Sequence, residues 1–350
     1  MSDWIVGGSS ENKATIHTRP RGLNFLKNNI LGAFGCNRPR ERERKLKAFF
    51  KGIKKSRPVT RVRRYLAYLV AIGLGGLARR LSRGRVISLG RRLGRFAFRV
   101  IRYERHRALT NLRRAFRDEK SEEELVRIAE KAYENFGVTA LEFPRLPFMG
   151  DAELFEMIDY EKEQVDYLHR ILNEGRGAIY ASAHMANWEM LAEFGARLGL
   201  KMSVLFKPST NPHLNRLWCR LRGSNRLIDI NRGLGTVFKR LRDNEAVCLL
   251  FDENARNRGV PVDFFGSPVS TYTGPAYFSI RTGAPILCLY FVREQDGRMR
   301  FLIERTIRPN RAARLEEEIS RIMGEMNASL ELMLRRHPEQ WYWFYKRWPE

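Results

Sequence analysis

Acidic residues are scarce in the first third of this chain. Residues 1–120 hold 7 Asp and Glu against 32 Lys and Arg, whereas residues 121–350 hold 32 of each. The whole net charge of +25 therefore sits at the front, which points to an anionic partner: nucleic acid, lipid headgroups or an acidic protein. Cysteine is sparse as well. Cys36, Cys219, Cys248 and Cys288 lie far apart and form no CxxC pair, so neither a disulfide framework nor a zinc ribbon is suggested, and a reducing, cytosol-facing compartment fits best. Met1 to His17 lacks the charged start, apolar stretch and small-residue cleavage site of a secretory signal, so no export is expected. HExxH, GxxxxGK[ST] and GxSxG are all missing, which argues against zinc hydrolysis, a phosphate loop and a serine nucleophile. No fixed-period repeat is found, and no zinc-finger spacing, RNP sequence or helix-turn-helix signature, so nucleic acid is not the expected partner.

What remains is long enough, at 350 residues, to bury a full core. Residues 1–57 mix Gly, Asn, Ser and basic residues without apolar period and read as a basic, disordered extension. Residues 58–110 read as membrane-associating helices. Tyr65 to Ala78 is apolar and bracketed by Arg61, Arg63, Arg64, Arg79 and Arg80, but its 14 residues fall short of the ~20 that span a bilayer. An interfacial or re-entrant helix fits, with a buried core helix as the alternative. From Val86 to Arg102, apolar Leu89, Leu93, Phe96 and Val100 recur beside Arg92, Arg95, Arg99 and Arg102, as in a basic amphipathic helix.

Residues 111–350 read as the catalytic domain. Ser121 with Glu124 forms a capping box ahead of Leu125, Ile128, Ala129, Ala132 and Phe136 on one helix face. After a helix at 161–173, short apolar runs at 178–183, 202–206, 227–230 and 246–251 alternate with helical stretches. That alternation predicts an α/β fold with a largely parallel central sheet flanked by helices. The stretch with Gly259, Pro261, Gly266 and Pro268 reads as a loop, followed by a helix, strands at 285–292 and 299–304, and a long helix at 312–336.

Ligands of such sheets bind beyond the carboxyl ends of the strands. Those ends deliver His184; Lys207; Asn231 with Arg232; and Asp252 with Glu253. Asn187 suits the N-cap of a helix starting at Trp188, which puts Glu189 in the first turn. Residues five apart in one helix face about 140° away from each other, so His184 and Glu189 meet only if the chain turns between them, as a strand-to-helix junction does. A carboxylate on one imidazole nitrogen fixes the tautomer and makes the other nitrogen a general base. Cys219, Cys248 and Cys288 lie in apolar surroundings and read as core thiols.

In this setting the chain resembles the bacterial lipid A biosynthesis late acyltransferases, which are themselves similar to phosphatidylinositol mannoside acyltransferases. The resemblance rests on Asn111-Leu-Arg-Arg-Ala-Phe116, His184-Met-Ala-Asn-Trp-Glu189, Asp263-Phe-Phe-Gly266, Thr273-Gly-Pro-Ala276 with Thr282-Gly-Ala-Pro285, and Trp341-Tyr-Trp343 with Arg347-Trp348, in that order over roughly residues 60–350. It implies a glycerolipid-acyltransferase-like fold at the cytoplasmic face of the inner membrane. It also implies a fatty acyl thioester on acyl carrier protein or coenzyme A as co-substrate, and no metal or other cofactor.

By that resemblance His184 is the general base, assisted by Glu189, and a lipid A precursor is the acceptor. A phosphatidylinositol mannoside or glycerolipid is the alternative acceptor, and a basic membrane- or nucleic-acid-binding protein the non-enzyme alternative. Lys207, Arg232 or backbone N–H groups near Asn187 to Glu189 are expected at the developing oxyanion. Arg220, Arg222 and Arg232 are candidates for phosphate contacts or for a solvated helix face. Asp252 and Glu253 either shape the site or form a structural ion pair. The aromatic tail reads as an interfacial belt or as packing against the sheet.

Overall fold

The computed structural model describes residues 57–348, Ser224 and Arg232 excepted. The expected extension therefore lies, but for Arg57, outside the described residues, as do Cys36 and the candidate Arg232. The chain divides into two units, Met1–Tyr65 and Leu66–Glu350, and the described part of the first, 57–65, is helical.

Helix α1 (Arg57–Arg80) exposes Leu66, Leu69, Val70, Ile72, Leu74 and Leu77 and buries Ala78. Among the described residues, no helix is long and apolar enough to cross a membrane. Helix α2 (Arg83–Val100) buries Val86, Ile87, Gly90, Gly94 and Phe98 while leaving Leu93, Phe96 and Val100 in solvent. The stripe singled out in the sequence is thus largely the outer face. The inner face is instead built on glycine. Helix α3 (Arg102–Phe116) follows, then α4 (Glu122–Glu142), whose capping box forms as expected: Ser121 Oγ accepts from Glu124 N at 3.3 Å and Glu124 Oε2 accepts from Ser121 N at 2.9 Å. Helices α2 and α4 cross so closely that a Cβ on Gly94 would lie 2.2 Å from the Tyr133 carbonyl oxygen, and one on Gly90 2.5 Å from the Cα of Val138.

Past the short helix α5 (Asp151–Glu156), the sheet begins with β1 (Ile158–Asp159), and α6 (Lys162–Asn173) leads to β2 (Ala178–Ser182). Three β–α steps follow: α7 (Trp188–Arg197) to β3 (Met202–Phe206), α8 (Pro212–Leu221) to β4 (Arg226–Asp229), and α9 (Leu234–Arg242) to β5 (Ala246–Leu250). Strand β8 (Ile286–Arg293) and β9 (Met299–Ile307) complete a seven-stranded sheet of order β1-β9-β8-β2-β5-β3-β4. Every neighbouring pair is parallel except β8 with β9. Buried on both faces, β2 and β8 carry continuous apolar runs rather than alternation.

The stretch expected to be a loop is a β-hairpin, β6 (Val260–Phe264) with β7 (Ser267–Thr271). Pro261 and Pro268 hid it, since proline ordinarily breaks a ladder. A separate two-stranded ribbon tolerates both, because each strand is an edge. The turn is two residues, Phe265 (φ 54°) and Gly266 (φ 65°), both in the left-handed region that tight hairpins require. Helix α10 (Gly274–Thr282) and the long helix α11 (Leu315–Arg336) pack beside the sheet, and residues 341–348 close the chain.

The glycine crossing predicts a clear asymmetry. Gly94→Ala should lower unfolding stability by about 1–3 kcal/mol through overpacking against α4. Gly84→Ala, on the same helix with nothing near its missing Cβ, should leave it within ~0.5 kcal/mol of wild type. Denaturant unfolding of both checks this, and equal stabilities would disprove the tight crossing.

Candidate active site

Strands β2 and β5 are parallel neighbours, with Ser182 opposite Leu250. Two residues beyond each partner stand His184 and Asp252. The register therefore brings them side by side at the carboxyl edge of the sheet. His184 Nδ1 lies 2.9 Å from Asp252 Oδ1, and the backbone N–H of His184 donates to Asp252 Oδ2 at 2.8 Å.

This corrects the expected pairing. The carboxylate on the imidazole is Asp252, not Glu189. Glu189 is engaged by Arg222, whose Nε donates to Oε2 at 2.7 Å and whose Nη2 donates to Oε1. The physical reason is geometric: Glu189 sits in the first turn of α7 and leans toward the end of α8, while the β2–β5 register fills the position beside the ring. Arg222 is thus held against Glu189 and flanked by the rings of Phe143 and Phe206.

His184 is 12% exposed at its side chain and Asp252 is fully buried. Burial by itself would push the imidazole down. The charge and hydrogen bond of Asp252, with smaller help from Glu253 and Glu189, outweigh burial and hold His184 above its ordinary value. Burial would likewise raise Asp252, but the charge and hydrogen bonds of His184 and the Trp341 indole hold its carboxyl low. With Nδ1 turned to the carboxylate, Nε2 carries the lone pair. The rings of Trp188, Tyr342 and Tyr345 surround the imidazole at centroid distances of 5.1, 6.0 and 4.6 Å.

The turn from His184 to Trp188 is strained and braced. Ala186 sits at φ 45°, which a residue with a Cβ rarely adopts. Its N–H donates to the Gln340 carbonyl at 2.8 Å and its carbonyl accepts from Thr139 Oγ1 at 2.8 Å. Asn187 caps α7 as expected, accepting from Met190 N at 3.1 Å, and donates through Nδ2 to Glu142 Oε2 at 2.8 Å. Asn187 is fully buried, and with both ends of its amide used it supports the turn. Glu142 in turn takes a bidentate pair from buried Arg293, two bonds of 2.7 Å.

The other expected residues spread out. Glu253 lies 3.8 Å from the exposed Lys207 ammonium at the site's rim, and Arg220 is exposed on α8. The Cys248 and Cys288 thiols are both pushed up to about 12 by burial, as core thiols would be. No group of three His, Cys, Asp or Glu among the described residues is placed to hold a metal ion. Sequence reasoning missed Glu142, Arg293 and Trp341 as parts of the site. Their signal was present but ambiguous: a charged residue at the end of an otherwise apolar strand, β8, and another at the end of α4.

The tail is packed inside, not a belt. Trp341, Trp343 and Arg347 are fully buried. Asn111 Nδ2 donates to the carbonyls of Trp343 and Tyr345 at 2.7 Å each, and Arg347 donates to the Glu253 carbonyl, Thr271 Oγ1 and Asn327 Oδ1. Segments far apart in sequence, at 111–116, 184–189, 263–266 and 341–348, thus converge on one place.

Residues 53–350 match the family model described as bacterial lipid A biosynthesis acyltransferase. A phosphatidylinositol mannoside acyltransferase of Mycolicibacterium smegmatis is 29% identical over 181 residues, covering 50% of this chain and 58% of that protein. The chain thus spans little more than half the length of that relative. The lipid A biosynthesis palmitoleoyltransferase of Escherichia coli is 27% identical over 74% of this chain and 83% of its own length, and the myristoyltransferase of the same organism 25% identical over 73% and 78%.

The geometry predicts that Asp252→Asn lowers the titration midpoint of His184, since burial then acts without the opposing carboxylate. In wild type that midpoint should stand above the ordinary ~6.5 of imidazole. An NMR titration of the ring C–H signals tests both, and an unmoved midpoint in the variant would refute the pairing.

Proposed function

The chain belongs to the bacterial lipid A biosynthesis acyltransferase family, and on that premise we propose that it transfers a fatty acyl group from a thioester, on acyl carrier protein or coenzyme A, to a hydroxyl of a lipid A precursor. The supporting observation is His184 at the strand ends, with Asp252 on Nδ1 and Nε2 facing away from it. Nε2 takes the hydroxyl proton as the acceptor oxygen attacks the thioester carbonyl carbon. Asp252 stabilises the imidazolium that forms, a role worth more in a buried site than in water. The tetrahedral intermediate collapses by breaking its C–S bond, and the imidazolium returns the proton to the departing thiolate. The N-terminal N–H groups of α7, at Trp188 and Glu189, are the donors we assign to the oxyanion. Lys207, exposed beside Glu253, is the cation proposed for substrate phosphates, while Arg222 pairs with Glu189. Activity falls on acidification as His184 takes up its proton, in a window set by its raised midpoint.

A mannosylated phosphoinositide is the second acceptor reading, favoured by the identity to the mycolicibacterial protein. Wild-type protein offered an acyl donor and either lipid should add one chain to the lipid A precursor, read by mass. His184→Ala should lose at least 10²-fold of that rate. Equal rates would remove His184 as the base, and acylation of the mannolipid alone would change the acceptor.

We also propose that α1 lies at an anionic membrane surface, the cytoplasmic face of the inner membrane, with its exposed leucines in the headgroup layer and the arginines at its ends on phosphates. Each such arginine adds about 1 kcal/mol of attraction. Leu66→Asp with Val70→Asp should lower co-sedimentation with phosphatidylglycerol-containing vesicles about tenfold or more, since apolar area is lost and charge repelled. Wild-type binding by that double variant would exclude this face.

A further inference from the structure

Asp252 uses its two oxygens differently. Oδ1 meets His184 Nδ1, whereas Oδ2 accepts the His184 backbone N–H at 2.8 Å and the Trp341 indole N–H at 2.7 Å. That indole arrives from the last residues of the chain and is fixed from both sides. Its backbone bridges to Met185, the residue after His184. Its ring, fully buried, packs edge-on against Trp343 at 4.9 Å and near Phe264 and Trp348 at 6.3 and 6.5 Å. A buried indole N–H requires an acceptor, and many carbonyls would serve. Here it is spent on the carboxylate of the proposed base.

We propose that Trp341 is a positioning residue of the proton relay, whose N–H turns Asp252 Oδ1 toward His184 and moderates the pull of that carboxylate on the imidazole. This rests on reading His184 as the base. The physical reasoning is one of shared charge. A carboxylate oxygen that accepts two donors draws negative charge away from its twin, so Oδ1 holds the imidazolium less strongly than it otherwise would. Removing the indole donor concentrates charge on Oδ1, and His184 keeps its proton to higher pH.

The other charged and titratable groups around the pair stay in place under such a change. Asp252, Glu253 and Glu189 are the carboxylates acting on His184, with Tyr342 and Tyr345 against its ring. Around Asp252 stand the buried Arg347 guanidinium and the hydroxyls of Tyr290 and Tyr345. Of these groups, Asp252 alone bonds the indole nitrogen of Trp341.

The test replaces Trp341 in the full-length chain by 3-benzothienylalanine, which keeps the ring shape and exchanges N–H for sulfur. The expected result is a rise of the His184 midpoint by roughly 0.5–1 pH unit, read by NMR of the ring C–H signals. The acidic limb of kcat/KM should move up by the same amount. An unmoved midpoint in a variant that melts within a few degrees of wild type would overturn the proposal, since a space-filling role predicts that outcome. Wild-type protein supplies a second measurement that no folding defect can blur: the Trp341 indole N–H resonance should titrate with the midpoint of His184, and an indole signal indifferent to that titration would also overturn it. Neither NMR measurement needs turnover, so absence of acyl transfer in wild type would defeat the acyltransferase reading while leaving the role of Trp341 decided.

Discussion

The site depends on the register of two parallel strands. Because Ser182 stands opposite Leu250, the residues two beyond each partner emerge side by side, and these are His184 and Asp252. A one-residue slip would send one of the two side chains to the opposite face of the sheet. Register here is held by burial on both faces: β2 and most of β5 are fully buried, and flanking strands bond each of them on the far side. The candidate site is thus built at the ends of two central, buried strands, the kind of setting that holds a side-chain geometry closely.

What the sheet cannot hold is the turn that follows. Ala186 at φ 45° must be kept there by its surroundings. The bracing comes from outside the β–α unit: Thr139 and Glu142 at the end of α4, Arg293 at the end of β8, and Gln340 before the tail. Gln340 accepts from the Arg293 N–H at 2.6 Å and donates to its carbonyl at 2.8 Å while binding Ala186 with its own carbonyl. Burying the Glu142–Arg293 pair is costly in solvation, and removing one partner of such a pair typically destabilises by 3–5 kcal/mol. An apolar pair of equal volume would fill the space but would leave the Asn187 amide without its acceptor. The pair is therefore better understood as a support for the helix cap than as a source of stability.

Much of this fold was legible because parallel strands buried on both faces leave plain apolar runs, and the run at 202–206 coincides with β3. The hairpin at 260–271 was not legible, since its prolines and its left-handed Phe265 are signals of a loop in any context but a narrow ribbon. The site was legible in its residues and not in its partnerships. His184, Glu189 and Asp252 stood out at element ends and Arg222 as a phosphate candidate, yet spacing along the chain favoured His184 with Glu189. Which carboxylate reaches the ring depends on strand order, and the order β2-β5-β3 skips a strand that periodicity alone suggests would be adjacent. Arg293 and Trp341 were hidden for a related reason: their partners lie 151 and 89 residues away.

Three carboxylates acting on one imidazole, Asp252, Glu253 and Glu189 in falling order, pose an electrostatic problem. A general base must be largely unprotonated at the working pH, so each added negative charge nearby weakens it by making the imidazolium too stable. In the proposed mechanism Asp252 orients the ring and stabilises the imidazolium. Glu189, if left bare, would add a further raising effect with no such return. Arg222 offsets part of it: the guanidinium clasps both oxygens of Glu189, which acts least among the carboxylates that raise His184. On the proposed reading, the His-x₄-Glu spacing that marks this site in sequence joins the imidazole to a carboxylate held by an arginine. The fold gives Asp252 to that imidazole and Glu189 to Arg222.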